Sequence, residues 1–157
     1  MAGKPVTDIS VTYNVALVTV DNLPVDMKLV SDIFNSIAGQ NINIDMINQA
    51  PPYRGKVNIS FTIPSDDLVR AISTLNTFKK NAPGLKIEVD AQNTKLSVFG
   101  EGMKNLPGVA AKLFTILAQN GIDVKLVTTS EVDISFLIYE KDVDTALSAT
   151  RNEFGIE

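Results

Sequence analysis

Ile33-Phe34, Ile37-Ala38 and Asn41-Ile42-Asn43-Ile44-Asp45-Met46-Ile47 are answered 80 residues later by Leu113-Phe114, Leu117-Ala118 and Gly121-Ile122-Asp123-Val124-Lys125-Leu126-Val127. Every apolar position of the first stretch meets an apolar position of the second, without a gap. A repeat at fixed spacing marks one supersecondary unit used twice. Working outward, Ile9, Val11 and Tyr13 alternate with polar residues as a strand does, and Val15 to Val20 reads as a second, more apolar strand. Leu29, Ile33 and Ile37 recur at helical spacing, with Gly39 and Asn41 where the helix should stop. Ile42, Ile44 and Met46 alternate again. Val57, Ile59, Phe61 and Ile63 alternate with Asn58, Ser60 and Thr62 as a half-buried strand. Pro64-Ser65-Asp66-Asp67 reads as a helix start with Ser65 as its cap, Leu68, Ile72 and Leu75 as the helix face, and Pro83-Gly84 as its end. Leu85, Ile87 and Val89 follow as a strand. The order is β-α-β-β-α-β.

The second unit repeats that order. Leu96 and Val98 lie on its first strand, Glu101 to Gly108 form a turn, and Val109, Leu113 and Leu117 mark a helix closed by Asn120-Gly121. Strands through Ile122, Val124, Leu126 and through Val132, Ile134, Phe136, Ile138 precede a last helix marked by Val143, Leu147 and Phe154. The chain then ends at Glu157, too soon for a closing strand, while the first unit starts with one strand too many. An open sheet edge is normally covered. The economical expectation is that the N-terminal strand completes the second unit. Residues 14–92 then form the inserted first domain, and 3–13 plus 93–157 the second.

Composition narrows the chemistry. The chain has 157 residues, 45% of them hydrophobic, and a net charge of −4, which argues against nucleic acid and anionic membranes as partners. It has no His, Cys or Trp, so disulfides, thiolate sites and the commonest general base and metal ligand are missing. The lack of Cys fits a cytoplasmic protein. No apolar run approaches the roughly 20 residues of a membrane span, and Met1-Ala2-Gly3-Lys4-Pro5 is too short and polar for a signal peptide. Asp66-Asp67 opens a helix, where carboxylates favour the dipole. Gly100-Glu101-Gly102 lacks the Lys and Ser/Thr of a phosphate loop. Arg54, Arg70 and Arg151, the only arginines, are far apart. No catalytic set emerges.

The informative segment is Lys104-Asn105-Leu106-Pro107-Gly108-Val109-Ala110-Ala111-Lys112-Leu113-Phe114. A Pro-Gly turn feeds a helix of small residues, allowing close approach at Gly108 and leaving the first helical N–H groups free for a carboxylate. An ordinary tight strand–helix turn explains the same residues. This segment, with Asn120-Gly121-Ile122-Asp123-Val124 and Thr128-Thr129-Ser130-Glu131-Val132-Asp133-Ile134-Ser135, resembles the second ACT domain of aspartate kinases. Asn41 to Gln49 is similar to the matching stretch of their first ACT domain.

The resemblance implies an α+β fold of two ferredoxin-like βαββαβ (ACT) domains, with antiparallel sheets and helices on one face. It implies a regulatory module for feedback by lysine and/or threonine, a homodimer formed through the ACT domains, and a kinase domain or catalytic subunit as partner. ATP and magnesium belong to that kinase domain, so this chain carries no cofactor. A structural dimerisation module without an effector is the alternative. By the resemblance, effector contacts map to Asp26, Met27, Lys28 and Leu29, to Asn43, Ile44, Asp45 and Gln49, and to Asp123 and Val124. Backbone groups of Ile44 and Val124 hold the effector's polar ends, with Gln49 and Asp123 adding side chains. The chain departs from the family's Asp-Lys-Pro-Gly-type turn: Val25 takes the acidic position and Met27-Lys28 replace Pro-Gly.

Overall fold

The computed structural model describes residues 4–157; Met1–Gly3, part of the segment weighed above as a signal peptide, lie outside the described residues. The chain divides into two compact units, Asn14–Gln92, and the residues before Asn14 together with Asn93–Glu157. Two strands pass from one unit to the other. β1 runs Asp8–Pro24 without a break, so the two N-terminal strands expected from the sequence are one, bent at Asn14. β4 runs Lys86–Phe99 and turns at Gln92. Asn14 and Gln92 both have positive φ, 56° and 64°, a conformation that kinks a strand locally.

Within Asn14–Gln92 the order is β1, α1 (Met27–Gly39), β2 (Ile47–Gln49), β3 (Lys56–Pro64), α2 (Leu68–Asn76) and the start of β4. β1 and β3 pair antiparallel with Ala16 opposite Ile63, Val18 opposite Phe61 and Val20 opposite Ile59. These residues share one face, because strand side chains alternate. The helices cover it with Val30, Ile33 and Ile37 of α1 and Ala71 and Leu75 of α2. Phe34 meets Phe61 edge to face, centroids 5.6 Å apart. Polar Thr19 and Ser60 pair through their hydroxyls at 3.1 Å. α1 stops where Asn41 takes φ 59°.

The other unit repeats this plan with α3 (Val109–Gln119), β5 (Val124–Thr129), β6 (Asp133–Tyr139) and α4 (Val143–Phe154). β4 and β6 pair antiparallel with Leu96 opposite Phe136 and Val98 opposite Ile134. Phe114 stands on Phe136 edge to face at 5.2 Å, the counterpart of the Phe34–Phe61 pair. The N-terminal residues join this core: Val6 is fully buried in it, Ile9 and Val11 pack on it, and the Thr7 N–H donates to the Phe99 carbonyl at 2.8 Å.

Three local expectations differ from the structure. Ser65 makes no capping bond; a 3-10 turn, Ser65–Asp67, leads into α2, and Asp67 pairs with Arg70. The strand expected at Ile42–Met46 is irregular, and regular pairing starts only at Ile47. There the Thr62 hydroxyl accepts from the Met46 N–H at 2.9 Å, while the Asp45 N–H takes the Thr62 carbonyl, so the ladder is interrupted. Finally, α2 ends at Asn76 and continues as a 3-10 turn, Thr77–Lys80, ahead of Pro83-Gly84. Among the described residues no helix is long and apolar enough to cross a membrane.

Candidate functional site

Each unit has a strand–helix turn where backbone donors emerge, and the two turns are built differently. In the first, Asp26 adopts extended φ/ψ (−148°, 103°) and caps α1 with its own carboxylate. Its Oδ1 accepts from the Lys28 N–H at 3.0 Å and the Leu29 N–H at 3.4 Å. Two of the donors expected to meet an effector carboxylate are thus engaged by the chain itself. Lys28 reaches Asp32 at 3.0 Å, and that hydrogen bond and charge raise the Lys28 pKa above its ordinary value. Val25 and Met27 leave more than half of their surface exposed.

The remaining expected residues of this unit do not gather at that turn. Asn43, Ile44 and Asp45 follow the opposite end of α1, and 13 helical residues span about 20 Å. Asn43 and Asp45 are exposed, Ile44 packs against the core, and the Asp45 N–H donates to Thr62. Gln49 lies between, exposed on β2 opposite Ile59. In the other unit Asp123 is exposed just before β5, and Val124 opens that strand opposite Ile138, at the end of the unit away from its own strand–helix turn. In each unit a strand–helix turn thus lies at one end and the strand start that follows the helix at the other.

The second turn is open. Gly108 holds φ 92° as the residue before α3, and no side chain caps the helix. The first intrahelical bond runs from the Lys112 N–H to the Gly108 carbonyl, so the Val109, Ala110 and Ala111 amides have no intrahelical acceptor. A Cβ added at Gly108 would meet nothing within 4 Å, so glycine is needed here for its left-handed backbone rather than for space. The turn forms one wall of a crevice of about 580 Å³, with Lys104, Asn105 and Leu106 beside the helix start. Thr129, Ser130 and Glu131, where β5 turns into β6, line it too. That hairpin is fixed by the Ser130 N–H to Asp133 carbonyl bond at 2.8 Å and by the Ser130 hydroxyl accepting from Val132. Sequence reasoning placed none of Thr129, Ser130 or Glu131 in a site. The available signal was that Thr128 to Ser135 carries part of the family resemblance, in the unit that holds the Pro-Gly turn. Among the described residues no group of His, Cys, Asp and Glu is arranged to hold a metal ion.

Residues 27–77 and 96–154 each match the ACT domain family. An aspartokinase of Bacillus sp. (strain MGA3) is 39% identical over 87% of this chain, which covers 33% of that protein. Aspartokinase 2 of Bacillus subtilis is 35% identical over 87% of this chain, again across 33% of its length. The chain thus spans about a third of the curated relatives it matches. Among solved structures, one of aspartokinase alpha and beta subunits superposes with a TM-score of 0.87 at 32% identity, covering 96% of this chain and 99% of that one. The ligand-free regulatory subunit of aspartate kinase from Thermus thermophilus superposes with a TM-score of 0.87 at 28% identity and the same coverage. With two repeats matched and the fold shared over nearly its full length, the chain belongs to the ACT domain family and is a tandem ACT regulatory region of the aspartokinase type.

Proposed function

We propose that this chain binds a free amino acid, lysine or threonine, and so regulates an aspartate kinase by feedback. The observation that carries the reading is the open crevice lined both by the uncapped start of α3 and by the turn bearing Glu131. An amino-acid zwitterion needs donors for its carboxylate and acceptors for its ammonium. Helical amides 109–111 supply the first, and the Glu131 carboxylate with the Ser130 hydroxyl supplies the second. Asp26 competes for the equivalent donors of the first turn, so the crevice of the second unit fills first. The half-sites at Asp26–Leu29, at Asn43, Ile44, Asp45 and Gln49, and at Asp123 and Val124 are completed by a second chain.

Differential effector affinity for two states of a kinase, worth about 1–3 kcal/mol, is enough for useful feedback. The kinase activity itself, with its ATP and magnesium, belongs to a catalytic domain or subunit that this chain would regulate. The self-capped first turn, with Val25 and Met27-Lys28 in place of the family pattern, favours a second reading in which the chain only holds subunits together. Calorimetry with lysine and with threonine separates the two. Heat with either amino acid, weakened at least about tenfold by Glu131→Gln through loss of a charge-assisted bond, supports the regulatory reading. No heat and no thermal shift with either supports the structural one.

A further inference from the structure

The chain has a single Asn-Gly pair, Asn120-Gly121, and it closes α3. An asparagine ahead of glycine is prone to ring closure. The following backbone nitrogen attacks the side-chain carbonyl carbon, and glycine, with no Cβ and a mobile backbone, obstructs that attack least. Both residues are exposed, and Gly121 holds φ 67°. The matching stretch of the first unit, Gln40-Asn41-Ile42, places a β-branched residue after its asparagine. Asn35-Ser36, where the second residue is also small, lies inside α1, with the Ser36 amide in the helical ladder.

The fold holds this pair in a geometry that blocks the closure. The Gly121 N–H donates to the Ala118 carbonyl at 3.1 Å, so the attacking nitrogen is engaged. The Asn120 side-chain amide donates to the Ile116 carbonyl at 2.8 Å, which draws it back along the helix rather than forward onto Gly121. The Ile122 N–H bonds the Leu117 carbonyl at 2.9 Å, and the Ile122 side chain is buried in the core. These bonds close the last turn of α3, and the first two have to break before the ring forms. Helix ends open locally at far less cost than the whole chain unfolds.

We propose that Asn120 is a site of spontaneous deamidation, gated by the opening of the last turn of α3. In the open turn the Gly121 amide gives its proton to hydroxide, and its nitrogen bonds to the Asn120 side-chain carbonyl carbon. The bond from that carbon to the side-chain nitrogen breaks, and ammonia leaves with a proton taken from water. Water then adds to either carbonyl of the cyclic imide and opens it to aspartate or isoaspartate. The new carboxylate stands at the C-terminal end of α3, where negative charge opposes the helix dipole. Asp123 follows three residues on, and Asp144 lines the same surface depression as Asn120. The donor to the Ile116 carbonyl is lost. Isoaspartate also adds a methylene to the backbone just ahead of Ile122. The modification therefore loosens the turn that leads into β5.

The mass of the whole chain during incubation at mildly alkaline pH tests this, with peptide mapping to place the change. The folded chain gains one mass unit at Asn120 ahead of every other asparagine, and Asn120→Gln abolishes that gain. Unfolding in urea raises the rate by about tenfold to a hundredfold, because the turn no longer holds the two amides. Ile122→Val, which weakens the anchor beneath the turn, speeds the reaction of the folded chain about threefold. Asn120→Asp lowers the thermal midpoint by about 1–3 °C. Equal rates in the folded and unfolded chains overturn the proposal. So does a folded chain that modifies another asparagine first, or that leaves Asn120 intact for about a hundredfold longer than the unfolded chain needs. An Ile122→Val chain that is folded by circular dichroism and reacts no faster overturns it as well.

Discussion

Gly100→Ala tests how the N-terminal strand is seated. A Cβ at this position falls 1.8 Å from the Pro5 carbonyl oxygen, 2.7 Å from the Pro5 carbonyl carbon and 2.9 Å from the Val6 Cα. All three neighbours are backbone, so no change of rotamer relieves the collision. Gly100 has φ −174°, extended backbone open to any residue, so the effect of alanine is the collision alone. The N-terminal segment has to lift away. That exposes Val6, now fully buried, at about 1.5–3 kcal/mol for a side chain of its kind. It also breaks the bond from Thr7 to the Phe99 carbonyl, worth about 0.5–1.5 kcal/mol. The expected loss is roughly 2–4.5 kcal/mol from these two terms. Urea unfolding reads the magnitude, and amide exchange reads the place: Thr7 loses protection while β3 keeps its own. A change below about 0.5 kcal/mol, the range of ordinary surface substitutions, with Thr7 still protected, would refute the reasoning.

Asp26→Ala removes the cap of α1 and lowers stability by about 1 kcal/mol, read as a lower thermal midpoint. The same change frees the Lys28 and Leu29 amides, so calorimetry with the amino acid that binds should register an additional or tighter site in the first turn. Phe136→Ala empties a fully buried position under Phe114 and costs about 3–5 kcal/mol in urea unfolding. The Lys28–Asp32 pair contributes stability below the ordinary lysine pKa of 10.5, and loses it as pH rises through the higher folded value. Asp32→Asn should return the Lys28 titration, followed by NMR, towards 10.5.

The doubled unit was legible because burial imposes the same period on both copies. Ile33 and Ile37 are buried like Leu113 and Leu117, and Phe34 and Phe114 each meet a strand Phe. Val57 to Ile63 alternated so regularly that every second residue lies in the core. Less legible were features set by single backbone or hydroxyl groups. Periodicity cannot report that Asn14 and Gln92 bend through positive φ and keep one strand continuous, or that the Thr62 hydroxyl takes the amide Met46 would otherwise give to the ladder. The same holds for the site. The Pro-Gly turn announced the open amides of α3, but Glu131 joins them only through the folding of a hairpin. The self-capping of α1 by Asp26 turns on one side-chain rotamer, which spacing does not record.

The most direct test of amino-acid regulation is a crystal structure of this chain grown with saturating lysine or threonine. The regulatory reading predicts one amino acid in the crevice, its carboxylate on the amides of residues 109–111 and its ammonium towards Glu131 and Ser130. A crevice holding only water in both crystals would contradict it.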